Sequence, residues 1–229
     1  MKNIKKKIIA IGGGGFTHQL DENLDQFVID QFKKKNIKIG FLATASKDDG
    51  KKISLFYKRF ENTEFELSHF NLTSKINGFS KWLLSKDIVY IGGGNTFFML
   101  EIWKKNKLEH VFKDAYEKGI VLSGISAGAV CWFDWILSDS VGPGFNPLRG
   151  INLISGSCTP HSSNIERMKQ FESDIKNNKL PNGIAIDDGV AVLFIDGKPT
   201  EVYSSRKNHT AYFLEKNKKI NLEKYIKNI

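Results

Sequence analysis

The segment Ile120-Val121-Leu122-Ser123-Gly124-Ile125-Ser126-Ala127-Gly128-Ala129 joins an apolar run to Gly-x-Ser-x-Gly and then to small residues. A serine so placed sits on a sharp strand-to-helix turn that pushes its hydroxyl clear of the backbone, the form of a nucleophile elbow. Such a turn requires small neighbours so that strand and helix can approach, and Gly124, Ala127, Gly128 and Ala129 supply them. The plainer reading is a packing turn whose serine caps the following helix. A strand pattern on one side and a helix pattern on the other favour a nucleophile at Ser126.

A serine hydroxyl attacks only once a base removes its proton, so a histidine oriented by a carboxylate must lie within reach. Of the five histidines, His18 follows a glycine loop, His69 lies in a predicted strand, His110 on a Lys-rich helix and His209 in a predicted hairpin. His161 follows Pro160 at the end of an apparent strand downstream of the elbow, and catalytic groups of α/β sheets gather at strand carboxyl ends. Asp187 and Asp188 follow the apolar run Gly183 to Ile186 and precede Gly189, so one carboxylate is expected to point into the site and the other away. Two orders stay open on these residues. One is Ser126, His161, Asp188; the other, common among α/β-hydrolases, is Ser126, then Asp187 or Asp188, then His209.

Two glycine loops, Gly12 to Gly15 and Gly92 to Gly94, admit a different chemistry, the cradling of a phosphate. Gly12-x-Gly14-x-x-Thr17 and Gly92-x-Gly94-x-x-Phe97 both lack the third glycine of a dinucleotide fingerprint, and neither carries the Walker lysine and hydroxyl. A nucleotide- or phosphate-binding module is the non-enzymatic alternative.

The elements that must hold these residues are legible as an alternation. Strands are predicted at Lys7 to Gly12, Ile37 to Ala43, Phe65 to Phe70, Ile88 to Gly92 and Ile120 to Gly124. Helical patterns lie between them, near Asp21 to Lys35, Ile53 to Phe60, Phe79 to Leu84 and Phe97 to Lys118. Strands alternating with helices give an α/β fold with a mostly parallel sheet and crossover helices. After the helix opened by Ser126 the strands shorten, at Ser155 to Thr159, Gly183 to Ile186, Ala191 to Ile195, Glu201 to Tyr203 and Ala211 to Leu214, with one helix from Ile165 to Asn178. Turn residues such as Asp196-Gly197-Lys198-Pro199 predict hairpins, so the sheet is expected to gain a few antiparallel strands there.

A length of 229 residues with 41% hydrophobic content fits one domain over 1–229 with a sizeable core. The apolar stretch Ile8 to Ile11 is too short for a signal-peptide core, and no run is long enough to span a membrane, so a cytoplasmic protein is expected. Cys131 and Cys158 read as small buried side chains rather than a bridge. The net charge of +9 and pI near 9.4 favour acidic partners. The lysines, as in Gln31 to Lys35 and Lys216 to Lys219, lack interleaved aromatics, which reads as a solvated surface and not as a nucleic-acid site.

Three stretches resemble the signature blocks of peptidase family S51, which contains dipeptidase E and the cyanophycinases: Ile91-Gly92-Gly93-Gly94-Asn95-Thr96-Phe97, Gly124-Ile125-Ser126-Ala127-Gly128-Ala129, and Gly150-Ile151-Asn152-Leu153 running on to Pro160-His161. The resemblance covers most of the chain and is weakest from Gln19 to Leu84. It implies a three-layer, doubly wound sheet like that of class I glutamine amidotransferases, with serine in place of their cysteine. By position it makes Ser126 the nucleophile, His161 the general base and Asp188 the orienting acid, where dipeptidase E has a glutamate one methylene longer. It assigns the oxyanion to the backbone amides of Gly94 and Ala127, and substrate contacts to Asn95, Asp139 and Arg167. The implied reaction is hydrolysis of small peptides, dipeptides with an N-terminal aspartate foremost, through an acyl-enzyme and without metal or organic cofactor. β-Aspartyl peptides and esters are the alternative substrates, and both monomer and homodimer are compatible with the sequence.

Overall fold

The structure is a computed structural model that describes residues 4–32 and 34–227. Lys33, within the lysine run Gln31 to Lys35 and the expected helix Asp21 to Lys35, lies outside the described residues.

Strands and helices alternate through the first half: β1 (Lys7–Ile11), α1 (Asn23–Ile29), β2 (Lys38–Leu42), α2 (Gly50–Arg59), β3 (Glu66–His69), α3 (Phe79–Leu83), β4 (Ile88–Ile91), α4 (Thr96–Lys105), α5 (Glu109–Glu117) and β5 (Val121–Ile125). Strands β1, β2, β4 and β5 are buried almost throughout because both faces of the sheet are covered, whereas β3 at the edge is only partly buried. Ile9, Ile39, Phe41 and Tyr90 pack with Leu24 and Phe27 of α1 and Phe56 of α2. Ile8, Ala10, Val89 and Ile91 pack on the opposite side with residues of α3, α4 and α5. Two helical expectations are corrected. Asp21 to Lys35 contracts to α1, and Phe97 to Lys118 splits into α4 and α5. The split occurs at Lys107, which takes a left-handed φ of 54°. That turn lets Trp103 and Phe112 bury against each other, with ring centroids 4.2 Å apart.

The second half comprises α6 (Ala127–Val130), β6 (Phe133–Ser138), β7 (Asn146–Arg149), β8 (Ile154–Thr159), α7 (Ile165–Lys176), β9 (Gly183–Ile186), β10 (Val190–Ile195), β11 (Lys198–Ser204), β12 (Ala211–Glu215), β13 (Lys218–Asn221) and α8 (Leu222–Ile226). The first sheet has the order β11-β10-β1-β5-β4-β2-β3, five parallel strands with antiparallel β10 and β11 added at the β1 side. The remaining strands form a second sheet, β13-β12-β9-β8-β6-β7, which the sequence reading did not separate from the first. Its strands alternate: Ile136 and Ile184 face the large core of the first sheet, whereas Leu137 and Ala185 face α7. Strands β6 and β7 were not expected either: the expected elements pass from the helix opened by Ser126 to the strand at Ser155 to Thr159. Cys131 and Cys158 are both buried as unpaired thiols. Among the described residues no helix is long and apolar enough to cross a membrane.

The two sheets meet where the chain passes from β9 through Asp187, Asp188 and Gly189 into β10. Gly13, just beyond β1, bridges to Asp188, and the Gly189 N–H donates to Gly13 O at 2.8 Å. The carboxyl ends of β1, β4, β5, β8 and β9 therefore open on one seam.

Candidate active site

Ser126 follows β5 directly and has φ 53° and ψ −112°, a backbone conformation that costs a non-glycine residue about 1–3 kcal/mol. The turn is held from both sides: the Ser126 N–H donates to Ile11 O at 2.9 Å, and the Ala129 N–H donates to Ser126 O at 2.9 Å. A Cβ on Gly128 would stand 2.2 Å from Ile91 O, and one on Gly124 would stand 2.3 Å from Gly128 O. Only glycine lets α6 lie this close to β4 and β5.

His161 also takes a left-handed φ, 52°, immediately after β8. Its Nε2 lies 2.8 Å from Ser126 Oγ, and its Nδ1 lies 2.5 Å from Asp188 Oδ1. The Ser163 hydroxyl donates to the other oxygen, Asp188 Oδ2, at 3.1 Å. The hydrogen bond from His161 is the foremost cause holding the Asp188 carboxyl below its usual range; the charge of Arg206 adds to it, and burial opposes. Asp187 turns the other way, accepting from the Ser162 hydroxyl at 2.6 Å and from the Thr210 N–H at 3.2 Å. His209 is not brought to Ser126, and its buried Nδ1 has no hydrogen-bond partner among the described residues.

The first glycine loop has a different use from the phosphate cradle considered above. A Cβ on Gly13 would fall 1.8 Å from Asp188 Oδ1 and 2.9 Å from His161 Nδ1, so this loop is the floor on which the His–Asp pair rests. Asp21 crowds Gly14 and Asp25 crowds Gly15 in the same way. These carboxylates occupy the space around the loop, and each is already paired, Asp188 with His161, Asp21 with Arg206 and Asp25 with Arg59.

The second glycine loop lies in front of Ser126. A Cβ on Gly93 would be 3.2 Å from Ser126 Cβ. Gly94 has φ 149° and lies against the Ala45 carbonyl, to which Asn95 N–H donates at 2.7 Å. Among the described residues the N–H groups of Gly94 and Ala127 have no acceptor. Asn95 has a structural occupation: its side-chain oxygen caps α4 by accepting from the Phe98 N–H at 2.8 Å, and it does not line the cavity.

That cavity, ≈ 230 Å³, opens over Ser126 and His161 and is lined further by Gly94, Lys52, Asp139 and Arg167. Arg167 is buried, contrary to the usual surface position of an arginine near a helix start. Its Nη2 lies 2.8 Å from Asp139 Oδ2, and its guanidinium lies 4.5 Å over the Phe145 ring. The two candidate substrate contacts thus pair with each other. A roomier groove of ≈ 540 Å³ between α7 and the β12–β13 hairpin is lined by residues such as Lys169, Glu172 and Lys216, and it holds no nucleophile with a base.

Several groups at the site escaped the sequence reading. Arg206 clamps Asp21, Nη2 to Oδ2 at 2.6 Å, beneath the Asp188 turn. Its Cγ would stand 2.5 Å from a Cβ on Gly189. Lys52 of α2 and His18 reach the cavity wall. His18 had a signal, its place after a glycine loop; Arg206 and Lys52 had none, since long-range packing alone brings them there.

Comparison with known proteins agrees with this architecture. The profile of Peptidase family S51 matches residues 8–202. The chain is 38% identical over 210 residues to the uncharacterized peptidase YgaJ of Bacillus subtilis, covering 90% of this chain and 91% of that one. It is 25% identical over 174 residues to the uncharacterized peptidase Lin0382 of Listeria innocua, covering 69% and 79%. Among solved structures, a peptidase from an acI-B1 Actinobacterium superposes with a TM-score of 0.71 at 15% identity, over 94% of this chain and 93% of that one. A putative peptidase E protein from Listeria monocytogenes superposes with a TM-score of 0.63 at 19% identity, over 88% and 98%. These two show the shared α/β fold. With the family profile running from β1 into β11 and so over Ser126, His161 and Asp188, the chain belongs to peptidase family S51.

Proposed function

We propose that this peptidase works through a Ser126–His161–Asp188 triad and an acyl-enzyme, on dipeptides with an N-terminal aspartate. The observation that carries the reading is the unbroken hydrogen-bond chain from Asp188 through both ring nitrogens of His161 to Ser126 Oγ. Asp188, ionised, holds His161 with Nδ1 protonated, so Nε2 is free to accept the serine proton. Ser126 attacks the carbonyl carbon, and the oxygen's developing charge is met by the N–H groups of Gly94 and Ala127, each such donor being worth about 3–4 kcal/mol in the transition state. His161 then protonates the leaving amine, and a water deprotonated by the same Nε2 releases the acyl group from Ser126.

Selectivity rests on Arg167 and Asp139. A guanidinium is a two-pronged donor suited to a carboxylate, and a carboxylate suits an ammonium. An aspartyl head carries a side-chain carboxylate and an α-ammonium close together, so it offers a partner to each member of the pair. Release of amino acids from a dipeptide panel by wild type, Ser126→Ala and His161→Ala tests the proposal. Cleavage concentrated on Asp-X and reduced at least about a thousandfold in both variants is expected. Full turnover by His161→Ala would refute the triad.

A further inference from the structure

Resting on the peptidase reading above, we propose that Lys52, flanked by His18, is the subsite for the free α-carboxylate of the leaving amino acid, and so the element that favours dipeptides over longer chains. In a dipeptide a single Cα separates the leaving nitrogen from its carboxylate. Any cation that recognises this carboxylate must therefore line the same small cavity as Ser126. Apart from the histidines, the cations that do so are Arg167 and Lys52.

Arg167 is paired with Asp139 and is the group assigned above to the aspartyl side-chain carboxylate, which leaves Lys52 for the second carboxylate. Lys52 Nζ donates to the carbonyl of Gly93 at 2.9 Å and, among the described residues, has no carboxylate partner. A partly buried ammonium bonded to a single neutral carbonyl keeps two N–H donors and its full charge for a ligand. Lys52 lies on α2 and His18 in the loop after β1, beside the first sheet, whereas Asp139 follows β6 and Arg167 lies on α7, beside the second, and all four line the cavity over Ser126. His18 Nδ1 lies 3.0 Å from Gly14 O, which orients the ring at the cavity wall beside Lys52. A third residue on the substrate would turn the carboxylate into a neutral amide and remove the ion pair.

The test compares Asp-Leu with Asp-Leu-amide as substrates of wild type, Lys52→Met and Lys52→Arg. Wild type is expected to prefer the free carboxylate. Lys52→Met is expected to lower the ratio of kcat/KM between the two substrates about tenfold, mainly through KM, and Lys52→Arg to retain most of it. An equal loss on both substrates in Lys52→Met would overturn the subsite and leave Lys52 a support for the Gly93 loop. So would the absence of any preference in wild type. Calorimetric titration of the same two compounds into Ser126→Ala separates this from the peptidase reading. Tighter binding of the free acid supports the subsite even if turnover of the panel fails, and equal or absent binding overturns it.

Discussion

At the scale of single residues, the site turns on two adjacent carboxylates with opposite duties. Asp188 faces His161 and Ser163, and its pKa is held down chiefly by the hydrogen bond from His161. Asp187, one residue earlier, ties the Ser162 hydroxyl to the backbone of Thr210. Asp188→Asn keeps the shape but lets the amide favour the wrong histidine tautomer. A fall in kcat of roughly a thousandfold to ten-thousandfold with little change in melting temperature is expected. Asp187→Asn weakens a buried hydroxyl–carboxylate bond, which costs about 1–3 kcal/mol of stability and leaves most of kcat intact. Steady-state kinetics with thermal melts on both variants reads the two effects separately. If Asp187→Asn were the one that abolished turnover, the acid would be misassigned.

At the scale of elements, the glycine loop after β1 shows how backbone shape becomes chemistry. Gly12 and Gly13 are both crowded, but by different things. A Cβ on Gly12 meets the Asp187 carbonyl at 2.2 Å, which is backbone and cannot yield cheaply; one on Gly13 meets the Asp188 carboxylate at 1.8 Å, which can rotate away. Gly12→Ala is therefore expected to lower stability by several kcal/mol, whereas Gly13→Ala is expected to keep the fold and lose at least about a hundredfold in kcat. Circular dichroism melts beside turnover distinguish them. Elements also mark how far the sequence could be read. The elbow was legible because strand, glycine spacing and small residues agree locally, and β1 to β5 because each is a short apolar run between turn signals. The hydrogen-bond partner of Ser126 stayed open between His161 and His209 on the residues themselves, since their distances from Ser126 in space depend on the second sheet. That sheet was hidden because β6 follows closely on the helix opened by Ser126, and because β8 and β9 look the same whichever sheet they join. The burial of Arg167 was not legible because nothing in its sequence neighbours foretells Asp139 and Phe145 closing over it.

At the scale of the whole molecule, one buried acid outside the Ser126–His161–Asp188 seam links α1 to three other parts of the first sheet and its covering layer. Asp25 of α1 is fully buried; it accepts from the Phe16 N–H at 2.9 Å, the Tyr90 hydroxyl at 3.1 Å and Arg59 Nε at 3.2 Å. It thereby joins the loop after β1, which carries His18 to the cavity, to β4 and α2. Burial outweighs these partners and pushes its pKa up to about 6. A carboxyl that binds its proton more tightly when folded than unfolded contributes stability that is fully present below the unfolded value near 4 and is lost as pH rises through the folded value. Asp25 thus works against the carboxylates with depressed values, Asp188 and Asp21, whose contributions are lost as pH falls. Comparison with Asp25→Asn isolates its share, because the asparagine does not titrate. Between pH 4 and pH 7, wild type is expected to lose about 2 kcal/mol of unfolding free energy relative to the variant, most of it below about pH 6. Urea melts of both proteins across that range measure the difference. A gap that stays constant with pH would mean that Arg59 and Tyr90 keep Asp25 ionised throughout, and that the loop bearing His18 is anchored by a charge instead of a neutral acid.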